Sequence, residues 1–204
     1  VNRVLNETRT TTMLLEGLHD EANAEAWEEF DRRFRPIIVG FAMKLGLREA
    51  DAADAAQETL ARFVSEYRQG RYDRSRGRLR SWLMSLARSR IADLRRRQAR
   101  RRESRGESAI IDLPNDAAMA QIWEEEQQRS MLRRALDALR ETTRTSEKTI
   151  QAFELLVVNG LPVDAVAVQL SMSAQDVYLA KSRVAQRLRQ ILSDLAAAYE
   201  EPDA

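Results

Sequence analysis

Apolar residues recur every three or four positions along most of the chain, the period of helices with one buried face. Leu14 and Leu18 open the series, and Trp27, Phe30 and Phe34 carry it through residues 13–35. Pro36 interrupts; the run IIVGFAMKLGL then resumes and ends near Gly46. Residues 49–67 predict a strong helix whose apolar face holds Ala53, Ala56, Leu60, Phe63 and Val64. Asp51 and Asp54 near its start suit the positive end of the helix dipole. The stretch RQGRYDRSRGR, with two glycines and a Tyr-Asp turn, reads as a loop. Residues 79–98 return to helix, with Leu79, Trp82, Leu83, Leu86, Ile91 and Leu94 as the buried stripe and the arginines mainly off it.

The periodicity then lapses. Gly106, Pro114, Asn115 and scattered Ser, Asp and Glu make the region after residue 98 the best domain boundary in the chain. The expected organisation is a helical domain over 10–98, a linker over 99–127 and a second helical domain over 128–199. Helical spacing resumes near Met119 with Ile122, Trp123, Met131, Leu132, Leu136 and Leu139 on one face. Ser146 is placed to cap the next helix. Asn159-Gly160 is a stop signal, and Pro162 suits the first turn of a short helix, VDAVAVQL. A three-residue turn, Ser171-Met172-Ser173, leads into a last helix from about Ala174 to Tyr199. Ser173 with Asp176 has the spacing of a capping box, with Asp in place of Glu or Gln. No alternating strand pattern appears, so the fold class is all-α with two small helical domains.

Composition narrows the chemistry. The 204 residues contain no cysteine and one histidine, His19, in a setting without metal-ligand spacing. Thiolate metal sites and cysteine nucleophiles are excluded, and no catalytic residue, cofactor or small-molecule substrate is expected. No apolar run approaches the ~20 residues that span a bilayer, and the N-terminal stretch lacks a signal-peptide core. The chain reads as cytoplasmic, with no membrane partner. The threonines of TRTTT (residues 8–12) read as a plain terminal segment rather than a phosphorylation site, and the acidic end after Tyr199 as a solvated one.

Net charge is only +1, but its distribution is uneven. Between Arg62 and Arg105 sixteen arginines face four acids, a local balance of +12, whereas residues 107–126 carry acids and no bases. A block this one-sided points to a polyanion. Arginines along residues 62–105 suit phosphates, and Tyr72 and Trp82 among them suit unstacked bases. Trp82 also lies on the apolar stripe, so packing is its other reading. In the C-terminal segment, Val163, Val166, Ala167 and Leu170 face Val177, Val184, Leu188 and Ile191 across the short turn. Gln175, Tyr178, Lys181, Ser182, Arg183 and Arg187 lie outward, as major-groove reading by a helix-turn-helix requires. An ordinary helical hairpin with a wet polar face has the same spacing.

Taken in order, the two segments resemble a family. ADAADAAQETLARFV is similar to the D-A-E-D-x-x-Q-E segment of bacterial RNA polymerase sigma factors of the extracytoplasmic-function (ECF) group, with Asp54, Gln57 and Glu58 on its positions. YDRSRGRLRSWLMSLARSRIADLRRR is similar to the following segment, matching at Trp82, Leu83, Ala87, Asp93, Arg95 and Arg96. The C-terminal helix-turn-helix agrees in length and turn position, and the likeness spans roughly residues 13–195. Ser89 stands where the family often has Asn, and Ser171 where its turn commonly has Gly. Lys181-Ser182-Arg183 lies three residues, nearly one turn, beyond its usual place.

The resemblance implies roles. Asp54, Gln57, Glu58, Arg62 and Phe63 would dock on the β′ clamp of core RNA polymerase. Arg78, Arg80, Ser81, Trp82, Arg88, Ser89, Arg95 and Arg96 would meet the minus-ten promoter element as its strands open. Ser173, Gln175, Tyr178, Lys181, Ser182, Arg183 and Arg187 would read the minus-thirty-five element, with the β flap as a further polymerase contact. The linker would thread the polymerase channel. Restraint by an anti-sigma factor, by a regulatory kinase or by expression alone remains open. The main alternative from the residues is a stand-alone helix-turn-helix DNA-binding regulator; a helical adaptor or anti-sigma protein, its arginine block binding an acidic partner, is another, while no phosphate-binding loop, metal spacing or nucleophile motif supports an enzyme.

Overall fold

The computed structural model describes residues 11–103, 113–142 and 145–199. The expected readings of residues 8–10, of Gly106 and of the acidic end after Tyr199 lie outside them. Among the described residues there are eight α-helices and no strand: α1 (Thr11–Gly17), α2 (Ala24–Lys44), α3 (Glu49–Arg68), α4 (Leu79–Glu103), α5 (Asp116–Thr142), α6 (Glu147–Phe153), α7 (Val163–Leu170) and α8 (Ala174–Tyr199). The chain divides into two compact units, with the change-over between Ser130 and Met131 inside α5.

In the first unit, Asn23 caps α2 by accepting the Ala26 N–H at 3.0 Å. Pro36 does not interrupt α2, which runs through it. Proline removes one backbone donor and crowds the preceding turn. Here Phe30, Phe34, Ile37, Ile38 and Phe41 are all buried on the same face, so packing holds the helix across the defect. On α3 the buried ladder is Ala52, Ala55, Ala56, Thr59, Leu60, Phe63 and Val64; Ala53, expected inward, is exposed. The Phe30 and Phe63 rings stack at 5.0 Å between centroids, tying α2 to α3.

The stretch expected as a linker is helical at both ends. α4 continues to Glu103, and α5 already begins at Asp116. Met119, Trp123, Glu126 and Ser130 form a buried stripe along the first half of α5, at spacings of four, three and four. Trp123 is fully buried with its edge against Phe41, at 5.5 Å between centroids. The Glu126 carboxylate fills the dent left by Gly40 on α2, where an added Cβ would lie 2.1 Å from Oε2. A buried Trp is worth roughly 3–5 kcal/mol against Ala, enough to seat a half-helix that looks polar in sequence.

The second unit packs the rest of α5 with α6 and α8. Its core is Ala135, Leu136, Leu139, Ile150, Phe153, Val184, Leu188 and Leu195. Ser146 caps α6 by accepting the Thr149 N–H at 3.3 Å. After α6 the chain makes a π-helical turn, Glu154–Val158, and stops at Asn159 and Gly160. Gly160 has φ +70°, a conformation that glycine adopts without Cβ strain. A smaller core, Ala152, Val166, Val177 and Ala180, joins α6, α7 and the start of α8.

Candidate nucleic-acid interface

The first site lies where the loop before α4 meets the end of α3. Asp73 accepts hydrogen bonds from the Ser75 N–H (2.9 Å) and hydroxyl (2.7 Å), winding Arg74–Arg76 into a 3₁₀ turn. The turn presents Tyr72 flat against Trp82, with 5.1 Å between centroids and 8° between planes. Trp82 in turn meets Phe63 edge-on at 5.2 Å. Arg71, Tyr72, Asp73, Gly77, Arg78, Ser81 and Trp82 line a pocket of about 320 Å³. Trp82 both packs on Phe63 and lines the pocket. Phe63 was expected both on the apolar face of its helix and at the polymerase contact. It follows Leu60 by three on the inward face of α3 and is fully buried.

Along α4 the arginines are less exposed to partners than the sequence implies. Arg80 Nη1 donates to the Glu124 carboxylate, and its Nη2 donates to the Ala120 carbonyl at 3.0 Å; both partners are on α5. Arg88 pairs with Asp116 at the start of α5. Arg90 pairs with Glu58 of α3, and Arg96 with Asp93. The Arg96 hydrogen bond, with Arg97 and Arg90 nearby, holds the Asp93 carboxyl below the usual range. Ser89 is exposed and Arg95 half-buried. Asp54, Gln57, Glu58 and Arg62 share the exposed face of α3, where Arg62 Nε donates to Glu66 at 2.8 Å.

The second site is α7, the turn and α8. Ser171 takes a left-handed conformation, φ 48° and ψ 57°. Lys148 Nζ donates to its carbonyl at 3.1 Å, which pins the turn to the start of α6. The capping box is present. The Ser173 hydroxyl donates to Asp176 Oδ2 at 2.6 Å, and the Asp176 N–H donates back to Ser173 Oγ at 3.1 Å. The Ser173 hydroxyl and N–H both donate to the Asp176 carboxylate, and these bonds, with Arg183 and Lys148 adding opposite charge, lower the Asp176 pKa. Ser173 is thus engaged as a cap rather than standing free on the reading face. Gln175, Tyr178, Lys181, Ser182, Arg183 and Arg187 are all exposed. Arg187 also donates to Thr145.

Sequence reasoning omitted Arg71, Asp73 and Gly77 from the pocket, and Lys148 from the turn. The Asp73-x-Ser75 spacing was a usable signal for the first; nothing local marked the second. It also missed that Asp116 and Glu124 face the α4 arginines.

Comparison with known proteins bears on the same segments. The model of the family described as sigma-70 region 2 matches residues 30–101, which take in α3, the pocket and most of α4. Over 167 residues the chain is 25% identical to a Cereibacter sphaeroides protein named ECF RNA polymerase sigma factor RpoE, covering 78% of this chain and 88% of that one. With the all-α architecture and the basic helix inside the matched region, residues 30–101 carry a sigma-70 region 2 domain, and the chain is similar over most of its length to an ECF RNA polymerase sigma factor.

Proposed function

We propose that this chain directs core RNA polymerase to promoters and helps open them, with no bond-making chemistry of its own. The observation that carries the proposal is the pocket between Tyr72, Arg78 and Trp82 at the head of a basic helix. Unstacking a base step costs a few kcal/mol. A preformed pocket walled in part by aromatic rings, with fixed guanidinium charges beside it, offsets that cost for a single strand and not for an intact duplex. In this reading Arg78, Ser81 and Trp82 hold an extruded base, while Arg80, Arg88, Ser89, Arg95 and Arg96 follow the strand of the minus-ten element.

The exposed face of α3, Asp54, Gln57, Glu58 and Arg62, docks on the polymerase β′ clamp. The α8 residues Gln175, Tyr178, Lys181, Ser182, Arg183 and Arg187 enter the major groove at the minus-thirty-five element, and the C-terminal unit meets the β flap. In this reading the clamp and minus-ten contacts lie in the unit 11–130 and the minus-thirty-five and flap contacts in the unit 131–199. No helix among the described residues is long and apolar enough to cross a membrane, and the proposed site of action is the cytoplasm.

The test is run-off transcription with purified bacterial core polymerase on genomic promoter fragments, alongside a direct binding assay. Discrete new start sites sharing two upstream elements are expected on adding the chain. If it neither binds core polymerase nor changes start sites while still binding duplex DNA, the stand-alone regulator replaces this reading.

A further inference from the structure

The first half of α5 places its acids on arginines that the opened strand needs. Glu124 and the Ala120 carbonyl take both ends of the Arg80 guanidinium, and Asp116 takes Arg88 two turns further along α4. Both contacts belong to the same compact unit, residues 11–130. Carboxylates stand here where phosphates would stand in a complex, and an arginine cannot serve both. We propose that residues 116–130 of α5 are an internal competitor for the promoter strand, closed on α4 in the free chain and displaced when the chain engages polymerase.

Three features suit a cover that opens. The ion pairs are wet: Arg80 and Glu124 are 39% and 42% exposed, and Arg88 and Asp116 47% and 82%. Pairs this exposed are weak and exchange easily for a denser row of phosphates. The seat beneath is imperfect, because the Trp123 indole N–H is buried with no hydrogen-bond partner. The Glu126 carboxylate is likewise buried against Gly40, with Arg129, itself 48% exposed, as its ion-pair partner. An unmatched buried donor beside a carboxylate whose partner reaches solvent lowers the cost of release.

The inference rests on Arg80 and Arg88 as strand contacts. Its first test is the affinity of the full free chain for a forked, partly single-stranded DNA probe. Asp116→Asn with Glu124→Gln is compared with a charge-matched control, Glu28→Gln with Glu125→Gln. At the level of weak surface pairs, roughly 3- to 20-fold tighter binding than the control is expected, with a salt dependence steeper by up to about two units, one for each arginine released. Adding Arg80→Ala and Arg88→Ala should abolish that gain, and the gain should disappear in the polymerase-bound state. Equal affinity of the two acid-depleted proteins overturns the cover. If Arg80→Ala with Arg88→Ala has no effect on strand binding even with polymerase, the strand-contact reading fails instead.

A lock tests release. The chain has no cysteine, and an added Gly40 Cβ lies 3.1 Å from Glu126 Cγ. That is near the Cβ-to-far-sulfur separation of a disulfide, about 3 Å. In Gly40→Cys with Glu126→Cys, oxidation should block promoter opening by the assembled holoenzyme, and reduction should restore it. Opening that is equally efficient in both redox states overturns the release step.

Discussion

Ser171→Gly isolates the strain in the helix-turn-helix. Ser171 sits at φ 48° and ψ 57°, the one non-glycine residue at positive φ among the described residues. An L-residue pays about 1–2 kcal/mol for that conformation. Glycine removes this strain but loses about 0.4–1 kcal/mol through its freer unfolded chain. The side chain is exposed, and the hydrogen bond from Lys148 is to the carbonyl, so the substitution deletes no partner. The balance is a gain of roughly 0.5–1 kcal/mol, a rise of several degrees in Tm for a unit of this size. The assay follows α7 and α8 amide resonances through a urea titration, with duplex binding at the minus-thirty-five element in parallel. The midpoint should rise, while affinity stays within about twofold, because the backbone path is unchanged. A lower midpoint would refute the strain argument and mean that the serine side chain contributes more than its conformation costs.

Two further outcomes are expected. Tyr72→Ala removes one face of the pocket while leaving the Trp82–Phe63 contact, so holoenzyme affinity for forked DNA should fall by about 5- to 150-fold, the worth of one stacked base; unchanged binding in a gel-shift titration would remove Tyr72 from the site. Asp176 has a lowered native pKa, so its stabilising effect is complete above the unfolded value of about 3.9 and is lost as pH falls through the depressed native value; a carboxyl-carbon NMR titration that puts Asp176 at or above the ordinary aspartate value would contradict the capping-box account.

What the sequence made legible was local. The turn at 171–173, the cap at Ser146 and the capping box at Ser173 each depend on residues within four positions, and each is present. The arginine block was legible as a charge balance. What stayed hidden depended on distant neighbours. Pro36 looks like a break until five buried side chains around it are seen to share one face. Phe63 lies on the apolar face of its helix by spacing, but its partner there, Phe30 of α2 at stacking distance, is not marked by any local pattern. In the first half of α5, three consecutive glutamates at 124–126 mask the stripe of Met119, Trp123, Glu126 and Ser130. A carboxylate belongs on that stripe only because Gly40 leaves a dent to receive it.

The near-zero net charge then acquires a meaning. A basic block of +12 and a neighbouring acidic stretch cancel in the total, and a sum alone treats them as independent surfaces. The fold brings part of one onto the other, with Asp116 and Glu124 on Arg88 and Arg80 across separations of 28 and 44 residues. Such pairs have no periodicity and no spacing rule, so a sequence pattern cannot carry them. They set the charge the free protein presents: part of the basic surface is neutralised from within, and under the proposed cover the full attraction for a polyanion awaits the release of α5. That order would suit a chain that acts on DNA together with polymerase, because an uncovered basic helix would bind duplex DNA of any sequence.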